Sequence, residues 1–224
     1  RARKSIEDII HPLSNIHIIV SIDNGDDTMN MMSVKYLEYS YINIFEGQSK
    51  NKIDAVNRDI KDNIYCTDWD ILVNMSDDMV FEVKDFDRII RQDMLENFPD
   101  LDGVLHYNDG NQKSNVMTMS IMGRKYYDRF GYIYHPDYKS VWCDVEATEV
   151  AHMLGKYKYM GDDKILFRHL HPAWGLAKYD EQYKKSESQE LWQHDKKVFD
   201  LRRSMNYNLK PEEIINNRLY PEVL

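Results

Sequence analysis

"WDILVNMSDDMVF" (Trp69–Phe81) is the stretch whose reading decides the fold. It opens with a short apolar run, Asp70 to Val73, of the kind that forms a strand buried on both faces of a parallel sheet. It then stops at two adjacent carboxylates, Asp77 and Asp78. In open α/β sheets ligands sit beyond the carboxyl ends of the strands, so carboxylates placed there face a crevice. One reading makes them caps of a turn or of the helix expected near "VKDFDRII". The other makes them ligands of a hard divalent cation, which is typically held by one or two carboxylates together with substrate phosphates.

The flanking sequence supports an α/β sheet. "HIIVSI" (His17–Ile22) is a β-branched run ended by the acidic loop "DNGDD", with Asp23, Asp26 and Asp27. "MMSVKYLEY" reads as helix and "YINIF" (Tyr41–Phe45) as strand. "NKIDAVNRDIKDNIY" reads as an amphipathic helix with Ile53, Val56, Ile60 and Ile64 on one stripe. A further short helix opens the chain, where Ser5 and Asp8 resemble a capping box. Alternating strands and helices over about the first 100 residues imply a mostly parallel sheet with right-handed crossovers.

The second half is less regular. "GVLHY" and "VMTMSIM" read as strands separated by the turn-rich "NDGNQKSN". "RKYYDRFG" reads as a short helix closed by Gly131, and "YIYHPDYKSVW" as an aromatic loop. "DVEATEVAHMLG" reads as a helix with Asp144 at or near its start and Gly155 past its end. "KILFRHLHP" reads as a strand ended by Pro172. The residues from about 180 onward form a charged, amphipathic helical extension, so the expected division is a main domain over 1–179 and an extension over 180–224.

Bulk composition narrows the function classes. A chain of 224 residues with 42% hydrophobic residues supports one substantial α/β core. A formal charge of -9 argues against a nucleic-acid binder, which needs a basic surface to displace phosphate counterions. The two cysteines, Cys66 and Cys143, are too few for a disulfide framework and suit a reducing, cytoplasmic setting. No run of about 18 apolar residues is present, so no transmembrane segment is expected. The opening "RARKSIEDII" lacks the apolar stretch of a signal peptide.

Each chemistry-bearing cluster has a structural and a functional reading. Asp23 is either a solvated loop residue or a carboxylate that binds a nucleobase or ribose. Lys52, Asn57 and Arg58 lie off the apolar stripe of their helix; they form its solvent face or point into the crevice. His169 and His171 alternate with Leu170, which on a strand puts both rings on one side, as a metal pair or as structural histidines. Asp144 and Glu146 either favour a helix N-terminus or include a general base, since a desolvated carboxylate gains a useful pKa.

The order of these features resembles the inverting, family-2-like glycosyltransferases of GT-A fold. The resemblance rests on the acidic loop, the A-x-N-R helix (Ala55–Arg58), the apolar strand ending in D-D, "RKYYDRFGYIY", and the acidic residues that open a helix. It implies a GT-A-like, Rossmann-related three-layer sandwich around a mostly parallel sheet, and transfer of a sugar from a nucleoside-diphosphate sugar to a saccharide or other hydroxyl acceptor. It also implies a Mn²⁺ or Mg²⁺ cofactor. Under the resemblance Asp23, Lys52, Asn57, Arg58 and Asp77 contact the nucleotide sugar, and Asp78 binds the metal. A late histidine, His171 in preference to His169, completes the metal shell, and Asp144 is the catalytic base. Trp142, Asn108, Asp109 and Glu146 are the acceptor candidates. Departures are Met75 at the first Asp of D-x-D-D, Cys143 at the Glu of E-D, and Asp59 where the A-x-N-R helix has Gly. The family begins with a strand and a P-T-x-x-R loop, so a segment is expected before Arg1, with Arg1 or Arg3 a remnant of that loop. The sequence leaves three roles open for the C-terminal helix: packing on the core, joining two copies as a homodimer, or contact with a membrane surface. Two rival classes share the architecture: a sugar-nucleotide nucleotidyltransferase, which needs a Gly-rich phosphate loop that the sequence lacks, and a non-catalytic nucleotide- or glycan-binding module.

Overall fold

The computed structural model describes residues 15–25, 41–61, 68–178 and 181–216. The helices expected near Ser5 and over "MMSVKYLEY", together with Asp26, Asp27 and Cys66, lie outside the described residues. The elements in chain order are β1 (Ile18–Asp23), β2 (Ile42–Gly47), α1 (Lys52–Lys61), β3 (Ile71–Val73), β4 (Met79–Phe81) and α2 (Phe86–Asn97). They continue with β5 (Val104–His106), β6 (Ile121–Gly123), α3 (Arg124–Phe130), α4 (Cys143–Met153), β7 (Tyr157–Tyr159), β8 (Phe167–His169), α5 (Glu181–Ser186) and α6 (Gln189–Ser204).

The protein is mixed α/β, with open sheets rather than a barrel among the described residues. β1 and β2 pair in parallel, in register from Ile18 opposite Ile42 to Asp23 opposite Gly47. A four-stranded sheet has the order β3-β6-β5-β7. Its β5/β7 pair is parallel, whereas β6 runs antiparallel to both β3 and β5. The expected parallel pattern therefore gives way at β6. Residues 107–120 return the chain from β5 without a crossover helix, and a parallel neighbour would require one.

Strand pleating divides the core into two apolar layers. Leu72, Val104 and Met122 point into one cluster with Ile53 of α1, Val150 of α4 and Phe199 of α6. Their neighbours Ile71, Val73, Leu105 and Ile121 point the other way, towards Phe86, Ile90 and Met94 of α2 and Phe81 and Phe167 of the β4/β8 ribbon. This is the period of two expected of a sheet covered on both faces. Gly123 ends β6 at a close approach: a Cβ there would lie 2.2 Å from the Leu101 carbonyl oxygen. Gly131 closes α3 in the left-handed conformation with φ 71°, as the sequence predicts.

The segment after residue 180 shares this core. Phe199 and Tyr207 belong to the same cluster as the sheet. Arg202 of α6 makes a salt bridge to Glu146 of α4 at 2.7 Å, and Arg203 makes one to Glu149 at 3.0 Å. Asp195, fully buried, accepts the backbone N–H groups of Ser140 at 2.8 Å and Val141 at 2.9 Å, so α6 also fixes the loop that leads into α4.

A broad crevice of about 3180 Å³ separates the β1/β2 pair from the four-stranded sheet. All of β1 and all of β3 line it, whereas β2 contributes only Ile42 and β6 nothing. Among the described residues β1 pairs only with β2 and β3 only with β6. The second edge of each strand therefore faces the crevice.

Candidate functional site

β3 delivers the chain to the rim of this crevice. The ladder continues for one residue past the strand, where the Asn74 N–H donates to the Ser120 carbonyl at 2.9 Å. A turn then places Asp77 and Asp78 at the crevice, and β4 leads away. β4 pairs antiparallel with β8, Met79 opposite His169, and the Leu170 N–H donates to the Asp78 carbonyl at 2.8 Å. That register brings a side chain from 91 positions further along the chain against Asp78: His169 Nε2 lies 3.0 Å from Asp78 Oδ2.

The carboxylate of Asp78 is held on both oxygens. Ser76 Oγ donates to Oδ1, and the Tyr183 hydroxyl of α5 donates to Oδ2. Behind His169 stands Asp109, whose Oδ2 is 3.8 Å from His169 Nδ1. Asp109 is itself fixed by the N–H groups of Asn111 at 2.8 Å and Gln112 at 2.7 Å and by the Thr118 hydroxyl at 2.9 Å. Burial opposes the charge on each of these groups, but their mutual contacts outweigh it. His169 is raised to about 9 between Asp109 and Asp78, and Asp109 is lowered to about 2. Asp78 is held well below the usual carboxylate range by hydrogen bonds from His169, Ser76 and Tyr183.

Asp144, in the first turn of α4, lines the same crevice. That helix starts from Trp142 in the left-handed region, φ 66°, an uncommon conformation for a bulky residue. Asp144 Oδ1 accepts the Val145 N–H at 2.9 Å. Burial raises the pKa of Asp144, against the N–H group of Val145 and the charges of Lys52 and His169. Lys52 is exposed and lines the crevice as well.

The remaining expected residues fall into two groups. Asp23, at the end of β1, and Asp77 are exposed and line the crevice. Arg58 reaches Asp23 at 3.5 Å but is mainly bound to Asp59 at 2.8 Å and Ser49 at 2.6 Å, off the crevice lining. Asn57 does not line the crevice, and its amide is taken up by the backbone of two residues that do. Its Oδ1 accepts the Ile133 N–H at 2.8 Å and the Tyr134 N–H at 3.3 Å, and its Nδ2 donates to the Tyr134 carbonyl at 2.7 Å. It ties α1 to the aromatic loop.

None of the four acceptor candidates lines the crevice. Glu146 is buried, with Arg202 on both oxygens and the Tyr138 hydroxyl at 2.6 Å. Asn108 is buried and donates to the Asp162 carbonyl at 2.7 Å. Asp109 supports His169, and Trp142 packs on Phe199 at 5.0 Å and Trp192 at 5.5 Å between ring centroids. The three polar members of this set have their hydrogen bonds satisfied inside the fold, as buried polar groups require. The histidines also separate. His171 caps the turn Pro172–Trp174 and pairs with Glu187 at 2.8 Å, so the ring against Asp78 is His169 rather than the preferred His171. Ser76 and Tyr183 join the site without having been singled out by the sequence. Ser76 stands beside the aspartates in the chain, whereas nothing local marks Tyr183.

Among the described residues no three His, Cys, Asp or Glu side chains converge on one point. Asp78 and His169 nonetheless suit a hard cation that takes its other ligands from substrate. Asp78 would offer a carboxylate oxygen and His169 an imidazole nitrogen to such an ion, with the remaining ligands supplied by substrate phosphates and water. None of the helices among the described residues is long and apolar enough to cross a membrane.

The fold and site thus define a mixed α/β protein with, among the described residues, a crevice along the free edges of β1 and β3, on which Asp78, His169 and Asp144 lie. Comparison with protein-family models, with curated proteins and with solved structures found no match.

Proposed function

We propose that the chain is a metal-dependent inverting glycosyltransferase that moves a sugar from a nucleoside-diphosphate sugar to a hydroxyl acceptor. The observation that carries this reading is the meeting of the Asp78–His169 pair with the pKa-raised Asp144 on one crevice. The mixed α/β architecture, with helices on both faces of the β3-β6-β5-β7 sheet, is compatible with this reading.

The chemistry is a single displacement. Asp78 and His169 would hold the divalent ion, which when bound neutralises charge on the diphosphate leaving group. Asp144 accepts the proton of the acceptor hydroxyl while that oxygen bonds to the anomeric carbon from the face opposite the breaking bond to diphosphate. A carboxylate with a raised pKa is the stronger base for this step. In this reading Asp23 and Asp77, exposed on the crevice, would contact the nucleoside, and Lys52 the phosphates.

The test uses purified protein and a panel of nucleotide sugars. Asp144→Asn is expected to abolish transfer and leave nucleotide affinity nearly unchanged. Asp78→Ala is expected to remove the Mn²⁺ dependence of UDP or GDP binding in calorimetry. Normal turnover by the Asp144 variant would sink the assignment of the base.

A further inference from the structure

Within the reading proposed above, we infer that Tyr183 is a positioning residue for the divalent cation, and that it makes α5 part of the metal site. Asp78 Oδ1 takes the hydroxyl of Ser76, and Oδ2 takes both the hydroxyl of Tyr183 and the imidazole of His169. A cation held by Asp78 and His169 would displace the hydrogen bond between these two side chains and would leave the two hydroxyl contacts in place. One hydroxyl then remains on each oxygen, from distant parts of the chain, and the carboxylate cannot rotate off the metal without breaking both. Outer contacts of this kind set the orientation of the ligating group and its affinity for the ion.

The second half of the inference concerns how Tyr183 is delivered. It lies on a helix of 6 residues, too short to be stable by itself. Among the described contacts, that helix is fixed at the site through its own residues and the residue that follows it. The Tyr183 ring stands edge-on to His171 at 5.2 Å and 87°. Glu187, whose N–H closes onto the Tyr183 carbonyl at 2.9 Å, pairs with His171 at 2.8 Å. Both anchors lead back to the β8 end that carries His169. A metal that fixes Asp78 and His169 therefore also stabilises the seating of α5, and by reciprocity the seated helix stabilises the metal.

The experiment measures Mn²⁺ affinity of the full chain by calorimetry and by electron paramagnetic resonance, with UDP and with GDP present, for wild type and four variants: Tyr183→Phe, Ser76→Ala, Ser76→Thr and Asp78→Asn. Tyr183→Phe removes only the hydroxyl and is expected to weaken Mn²⁺ binding by about 10- to 100-fold with the melting temperature of the metal-free protein preserved. Ser76→Ala should weaken it similarly, and Ser76→Thr, which keeps a hydroxyl, should restore it. Mn²⁺ should protect the α5 region from limited proteolysis in wild type and not in Tyr183→Phe. Unchanged or tighter Mn²⁺ binding by Tyr183→Phe, where wild type binds and Asp78→Asn does not, overturns the role of Tyr183 and leaves the proposed metal site standing. Absence of Mn²⁺ binding by wild type overturns both.

Discussion

Replacing Arg202 by Met tests whether the acid two residues beyond Asp144 is structural. Arg202 meets Glu146 through Nε and Nη2 at 2.7 to 3.1 Å, and both side chains are 6% exposed. Methionine keeps much of the aliphatic volume but leaves the buried Glu146 carboxyl without its cation. Removing one partner of such a buried pair costs about 3–5 kcal/mol, because the orphaned charge stays desolvated. For 224 residues, an unfolding entropy of about 2.1 cal/mol/K per residue converts this to a fall in Tm of about 6–11 °C. Glu146→Gln combined with Arg202→Met removes both charges and keeps an acceptor for the Tyr138 hydroxyl. The double variant should recover all but about 1–2 kcal/mol, since a buried pair replaced as a unit is often near neutral. The assay is urea denaturation followed by tryptophan fluorescence and circular dichroism. A loss below about 1 kcal/mol for Arg202→Met would refute the reasoning, because a carboxylate stranded in the core costs several times that. So would a Glu146→Gln variant that keeps its stability and loses acceptor turnover, because Glu146 would then act on substrate.

Two further outcomes follow from the same geometry. Asn57→Ala strips the Ile133 and Tyr134 N–H groups of their acceptor and should cost about 1–3 kcal/mol. Nucleotide affinity measured well below the new melting point should be unchanged; a selective loss of nucleotide binding would restore Asn57 to the site. His106, 1% exposed, is lowered to about 4 chiefly by burial, with Asp109 and the Val116 backbone favouring its charge and His152 opposing it. Its folded pKa lies below the unfolded value, so it stabilises fully above about pH 6.5 and loses that contribution as pH falls towards 4, by roughly 3 kcal/mol at most. The stability difference between wild type and His106→Gln should therefore narrow across that window in denaturation series at fixed pH, and a constant difference would contradict the buried neutral imidazole.

Much of the fold is legible because its signals are local. The run "HIIVSID" gives β1, Gly131 gives the end of α3, and the apolar stripe of "NKIDAVNRDI" gives α1. β4 and β8 are not legible as a pair. "MVF" is three residues long, follows a turn, and acquires strand character from β8, whose Phe167 to His169 lie more than 80 positions away. That pairing also selects His169 over His171, since register fixes which ring meets Asp78. The polar residues of "HYNDG" suggest an acceptor site on composition alone. Asn108 and Asp109 instead satisfy backbone groups of their own loop and of Asp162, contacts that depend on tertiary placement.

Asp144 and Glu146 make the same point within a single helical turn. At 100° per residue, positions two apart on an α-helix face nearly opposite directions, about 200° around the axis. The sequence "CDVEAT" therefore predicts that the two acids serve different surroundings, but it cannot say which one meets a cation. Arg202, 56 positions later, makes that choice by filling the Glu146 side. Among the described residues no cation pairs directly with Asp144, and Lys52 and His169 act on it from longer range. One carboxylate consequently holds α6 to α4. The other keeps a raised pKa on the wall of the crevice, the combination a general base needs.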